Sequence, residues 1–136
     1  MDIAAATAAP LTIKLDDNNF KLSPLKDRDY GEYERWAQDR HIQIAKRNVE
    51  GLEHTLAMGL LKHAYDEATT ISIDSEISLR YMKTIEGASQ LCYLMLRHKQ
   101  PEVTYSQVLE WLTDPKNMQE AMEGITRLAH QPEKKE

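Results

Sequence analysis

The sequence predicts a mainly α-helical domain, small and built of four to five helices, with a short β-hairpin at its N-terminal end. Three observations carry that prediction. From Asp29 onward, apolar residues recur at the three- and four-residue spacing of helical faces. Before that point, Leu11-Thr12-Ile13-Lys14-Leu15 and Phe20-Lys21-Leu22 alternate apolar and polar with the period of a strand. Helix start and stop signals then punctuate the chain at Gly51, Ser75, Thr104 and Asp114.

The hairpin comes first. Asp16-Asp17-Asn18-Asn19 has the composition of a turn, and Leu11, Ile13, Leu15, Phe20 and Leu22 form the side that must lie on the helices, because an isolated hairpin is marginal in water. Ser23-Pro24-Leu25 leads away from the second strand, with Leu25 as a plug into the core. A first helix follows from Asp29, capped by Asp27 or Asp29, with Tyr33, Trp36, Ala37, Ile44 and Ala45 on one stripe. Ile42 and Val49 fall off that stripe and give the helix a second contact surface, which leaves room for a homo-oligomer. Gly51 marks a break, suited to a left-handed residue beyond a helix end. The pattern then resumes through Leu52, Leu56, Leu60, Leu61, Ala64, Tyr65 and Ala68.

Thr69-Thr70-Ile71-Ser72-Ile73 is β-branched and alternating, and reads as an extended connector or minor strand. The stretch from Leu79 to Trp111 organises the whole chain. A central helix is expected over Ser75 to His98, with Gly87 inside it where another backbone comes close. Ile85, Ala88, Cys92 and Met95 repeat on one face while Leu91 and Leu94 lie off it, so this helix is apolar nearly all round and belongs in the middle of the core. Arg97-His98-Lys99 and Gln100-Pro101 end it. Thr104-Tyr105-Ser106-Gln107 has the capping-box pattern, predicting a helix from Tyr105 that buries Val108, Leu109, Trp111 and Leu112. Asp114-Pro115 starts the last helix, which carries Met118, Met122, Ile125, Leu128 and Ala129. The expected organisation is a flexible N-terminal tail at 1–10, a single domain at 11–130, and a flexible C-terminal tail at 131–136.

Composition narrows the function. At 136 residues the chain is long enough to bury a core without metal or disulfide staples, and its one cysteine, Cys92, lies in the apolar run as a small hydrophobe. A formal charge of −5 argues against a phosphate backbone as the main partner, so nucleic acid is not expected. No run approaches the roughly 18 apolar residues of a membrane span, and the small-residue start lacks the basic and apolar segments of a signal peptide.

Nothing selects a catalytic, cofactor-binding or metal site. The five histidines, at 41, 54, 63, 98 and 130, avoid zinc spacings; the nearest patterns, Glu50 with His54 and His63 with Glu67, read as solvated helical pairs. Lys83, Arg97, His98 and Lys99 form a small basic cluster, read as complementing a helix C-terminus rather than as an anion site. Met58, Met82, Met95, Met118 and Met122 all fall in helices. They fill the core or, alternatively, line a groove that adapts to an apolar helix of another protein.

Two stretches resemble a family. Phe20-Lys21-Leu22-Ser23-Pro24-Leu25-Lys26-Asp27-Arg28-Asp29-Tyr30, leading to Glu34-Arg35-Trp36, resembles the strand, x-Pro-Leu-x-x-x-Asp and acidic-helix opening of small tail assembly chaperones of long-tailed bacteriophages. Gly87-Ala88-Ser89-Gln90-Leu91-Cys92-Tyr93-Leu94-Met95-Leu96-Arg97, with Pro101 to Thr104 and Val108-Leu109, is similar to their second characteristic segment. The helix at Asp114 to Ala129 fits as well, while Asn48 to Ser78 matches least. The resemblance implies a non-enzymatic protein of the host cytoplasm that binds the tape-measure protein, and possibly the tail-tube protein, during virion assembly. It assigns no catalytic or partner-binding residue. The alternative is a structural component of a phage particle, such as a head-tail connector or small tail protein.

Overall fold

The computed structural model describes residues 9–129. The expected tails therefore lie outside the described residues, except for Ala9 and Pro10, which are exposed. Strand β1 (Leu11–Leu15) pairs antiparallel with β2 (Asn18–Leu22), and six helices follow: α1 (Asp27–Asn48), α2 (His54–Ala68), α3 (Glu76–Met82), α4 (Ile85–Leu96), α5 (Tyr105–Leu112) and α6 (Pro115–Ala129). The fold is the helical domain with an N-terminal hairpin that the sequence predicts.

Only Asp16 and Asp17 form the hairpin loop; Asn18 and Asn19 already belong to β2. Both aspartates are left-handed, at φ 51° and 66°, the paired positive φ values that suit the twist of a two-residue hairpin. A buried amide holds that loop: the Asp16 N–H donates to Asn117 Oδ1 at 3.0 Å, and Asn117 Nδ2 donates to Asp16 Oδ1 at 2.6 Å. Ile13, Leu15 and Leu22 are buried as alternation requires, with Leu11 and Phe20 packed at the margin. The hairpin lies on α6 at Gly124, where a β-carbon would crowd Ile13 and Leu22.

Helix α4 is the centre of the molecule. Leu91, Cys92, Leu94, Met95 and Leu96 are all buried, and β2, α1, α3, α5 and α6 pack around it. A helix without a polar face gains stability only when covered on every side, and each neighbour supplies one side. Strand β2 is also tied to it directly, since the Ser23 N–H donates to the Met95 carbonyl at 3.0 Å. The Gln100 side chain, just beyond α4, pairs with the Lys21 backbone as a further strand residue would, at 2.8 and 3.1 Å.

The predicted central helix is two helices, which raises the count among the described residues to six. The break falls at Lys83-Thr84. The Thr84 hydroxyl donates to the Tyr81 carbonyl at 2.6 Å and accepts from the Gly87 N–H at 3.0 Å, ending α3 and capping α4 with one side chain. Gly87 is needed because the Tyr81 carbonyl occupies the space of its missing β-carbon. The expected close backbone approach is therefore real, made by the preceding turn of the same chain.

Other boundaries follow the local signals. α1 starts two residues before the expected Asp29, after Lys26 rather than Asp27 or Asp29; Asp29 reaches back from the first turn to accept the Lys26 N–H at 2.9 Å. Thr104 and Gln107 exchange both capping-box bonds, and the Asp114 carboxylate accepts the Lys116 N–H at 2.9 Å. Gly51 sits in the break between α1 and α2 at φ 82°. Residues 69–75 form a connector of turns and irregular backbone, so the connector alternative holds and no strand forms there. In α5, Val108 and Leu112 are buried, whereas Leu109 and Trp111 are half-buried; Trp111 packs on Phe20 with ring centroids 5.0 Å apart.

Gly87→Ala should cost about 1–3 kcal/mol, because the obstacle is backbone and the α3–α4 turn has to shift. Urea denaturation checks this, and an unchanged midpoint would show that the turn is not as tight as described.

Candidate functional site

The basic cluster expected at the end of α4 is occupied from within. Arg97 Nη2 donates to Asp29 Oδ1 at 2.7 Å, and Arg97 Nη1 donates to Glu32 at 3.0 Å. His98 Nε2 lies 2.6 Å from Asp29 Oδ2. A carboxylate only accepts, so Nε2 carries the proton in that bond. The Arg97 guanidinium also stands over the Tyr93 ring, 5.7 Å from its centroid. The Asp29 side chain is fully buried, and the Arg97 side chain is 21% exposed. Lys83 and Lys99 are exposed and lie outside these bonds among the described residues.

Burial pushes the Asp29 carboxyl up, but the bonds from the Lys26 N–H, His98 and Arg97 outweigh it and hold the group below the usual aspartate range. Arg97 does the same to Glu32. The cluster is an internal ion-pair network joining α1 to the end of α4. Sequence reasoning found the cations and missed their partners, which lie 68 and 65 residues away.

The remaining candidates resolve individually. Cys92 is buried and its thiol is pushed up to about 12 by desolvation, as an inert core cysteine would be. Glu50 follows the end of α1 and His54 begins α2, so they do not share a helical face. His63 does approach Glu67, at 3.5 Å, while the other Glu67 oxygen lies 3.1 Å from His41 Nε2 on α1. His41 Nδ1 in turn meets the Tyr81 hydroxyl on α3 at 3.1 Å. Among the described residues no group of three or more histidine, cysteine or acidic side chains is arranged to hold a metal ion.

Two apolar grooves remain. One, of about 380 Å³, opens between the hairpin exit and α1, α3, α4 and α6; Leu25, Tyr30, Met82, Met95, Ile125 and Leu128 line it. Leu25 is thus a groove wall, half-buried rather than a full core plug. The other, of about 520 Å³, runs between α1 and α2 over Ile44, Ala45, Val49 and Leu60. Met58 is exposed, Met95 is buried, and Met82, Met118 and Met122 are packed at the core margin.

Helix α2 carries four of the large apolar side chains left exposed among the described residues, Leu56, Met58, Leu60 and Tyr65. Its seam against α1 is made by half-buried Ala57 and Leu61 and buried Ala64 and Ala68, spaced for one helical stripe. Leu56 and Leu60 lie on one flank of that stripe, Met58 and Tyr65 on the other, and these four are 44–52% exposed. With Leu52 at its entrance, the apolar arc is far wider than one neighbouring helix covers. The sequence advertised these residues as helical and apolar; it gave no signal that most of them stay outside the core.

Asp29 and Glu32 contribute stability that is present above their unfolded-state pKa values and is lost as pH falls through the lower folded-state values. Asp29→Ala should therefore cost about 1.5–3 kcal/mol at pH 7, where His98 and the Lys26 N–H lose their acceptor and Arg97 keeps only Glu32, and progressively less below about pH 4. Urea midpoints of both proteins across pH 2.5–7 check this. A gap that stays constant with pH would contradict the assignment.

No protein-family model matches this chain, and neither a characterised protein nor a solved structure is significantly similar to it.

Proposed function

We propose that this chain is a tail assembly chaperone of a long-tailed bacteriophage. It binds the tape-measure protein in the host cytoplasm, shields that protein's apolar helices until the tail tube forms around them, and catalyses no reaction. What carries the reading is the set of half-exposed apolar side chains on and before α2, Leu52, Leu56, Met58, Leu60 and Tyr65, which α1 leaves 41–52% exposed. Exposed apolar side chains grouped in this way are a feature of partner-binding faces, and a helix laid along the Leu56 and Leu60 flank of α2 would cover side chains that α1 leaves half-exposed.

The Asp29–Arg97–His98 network is compatible with the same reading, since these cations already pair with Asp29 and Glu32 inside the fold. The two stretches that resemble the chaperone family meet at that network: Asp29 belongs to the first and Arg97 to the second. The resemblance therefore falls on the residues that tie the fold together. The apolar arc falls in Asn48 to Ser78, the part that matches the family least, so the proposed partner surface is this chain's own.

The test is binding of a purified helical tape-measure fragment by calorimetry. Leu56→Ser combined with Leu60→Ser removes two half-exposed apolar side chains from one flank of α2. Affinity should fall by about 2 kcal/mol, some 30-fold, while the thermal midpoint of the free protein changes little. Unchanged affinity would place the partner elsewhere. Stoichiometric presence of the chain in purified particles would favour a structural component instead.

A further inference from the structure

Burial along α2 is graded. On the stripe that faces α1, Ala57 and Leu61 are half-buried, and Ala64, Ala68 and the following Ile71 are buried. Polar ties follow the same gradient. At the C-terminal end, the Ile73 N–H donates to Glu34 at 2.7 Å and Gln38 Nε2 donates to the Ile71 carbonyl at 3.2 Å, anchoring the connector on α1. One turn earlier, Glu67 meets His41, which meets Tyr81 of α3. At the N-terminal end, the hydrogen bonds of residues 49–53 among the described residues are all local, and Gly51 supplies a left-handed turn.

From this gradient we infer that α2 is a hinged arm. It lifts away from α1 starting at its N-terminal end, pivots at Ala68 to Ile71, and does so without unfolding the α4-centred core. An element with few buried apolar contacts opens more readily than the core it rests on. The Glu67–His41–Tyr81 chain is the latch nearest the pivot, and the groove over Ile44, Ala45 and Val49 is the space that widens when the arm lifts. Gly59, in the middle of the arm, weakens the helix further and has open space where a β-carbon would stand. This inference concerns the free protein and holds whatever partner it binds.

Amide hydrogen exchange of the full chain at neutral pH tests it, comparing α2 with α4. The arm predicts α2 amides opening at least about ten-fold more often than those of α4, faster at residues 58–61 than at 65–68. Gly59→Ala, which fits without contact, should slow α2 exchange about five-fold and leave α4 unchanged. Glu67→Gln should speed α2 alone. Equal protection of α2 and α4, or a Gly59→Ala effect of the same size in both, would overturn the inference, because α2 would then open only with the whole molecule.

Discussion

A helix with no polar side has to be enclosed, and the enclosure of α4 sets the positions of nearly everything else. Strand β2 and helices α1, α3, α5 and α6 each take one sector of its surface. The hairpin reaches it because β2 is held by the Met95 carbonyl and the Gln100 amide, while β1 is held on α6. The ends of α4 are fixed by different chemistry: a threonine and a glycine at its start, a buried carboxylate at its finish. Helix α2 is the exception. It rests on α1, and its apolar arc stays open as a consequence.

The buried carboxylate also bears on function. Asp29 completes the first turn of α1 by accepting the Lys26 N–H, then uses both oxygens on α4 through Arg97 and His98. Asp29 and Arg97 each bond two other members, so the network acts as a fixed registration of α1 against the end of α4. Chemistry is thereby separated from surface. The buried Asp29 carboxylate faces inward, and four large apolar side chains, Leu56, Met58, Leu60 and Tyr65, stay half-exposed on α2.

Features governed by near neighbours in the chain were legible in the sequence. Alternation gave the hairpin and its buried side, the Thr104 and Gln107 pair gave the start of α5, Asp114-Pro115 gave the start of α6, and Gly51 gave the break after α1. The division of the central helix was not legible, because Ile77, Tyr81, Ile85 and Ala88 keep helical spacing straight across it. Thr84 becomes a cap only when the Tyr81 carbonyl and the Gly87 amide are both within reach. The ion-pair network was illegible for a different reason, since its partners are remote in sequence and periodicity carries no information about remote pairs. Periodicity likewise identified the apolar arc of α2 without saying how much of it a neighbour would cover.

In the proposed role, this protein works by covering apolar helical surface on a companion. Light scattering of a purified tape-measure protein diluted from denaturant, with and without an equimolar amount of this chain, tests it most directly. The mixture should stay clear and yield a discrete complex, while the tape-measure protein alone aggregates. Aggregation at the same rate in both samples, with this chain left free in solution, would contradict it.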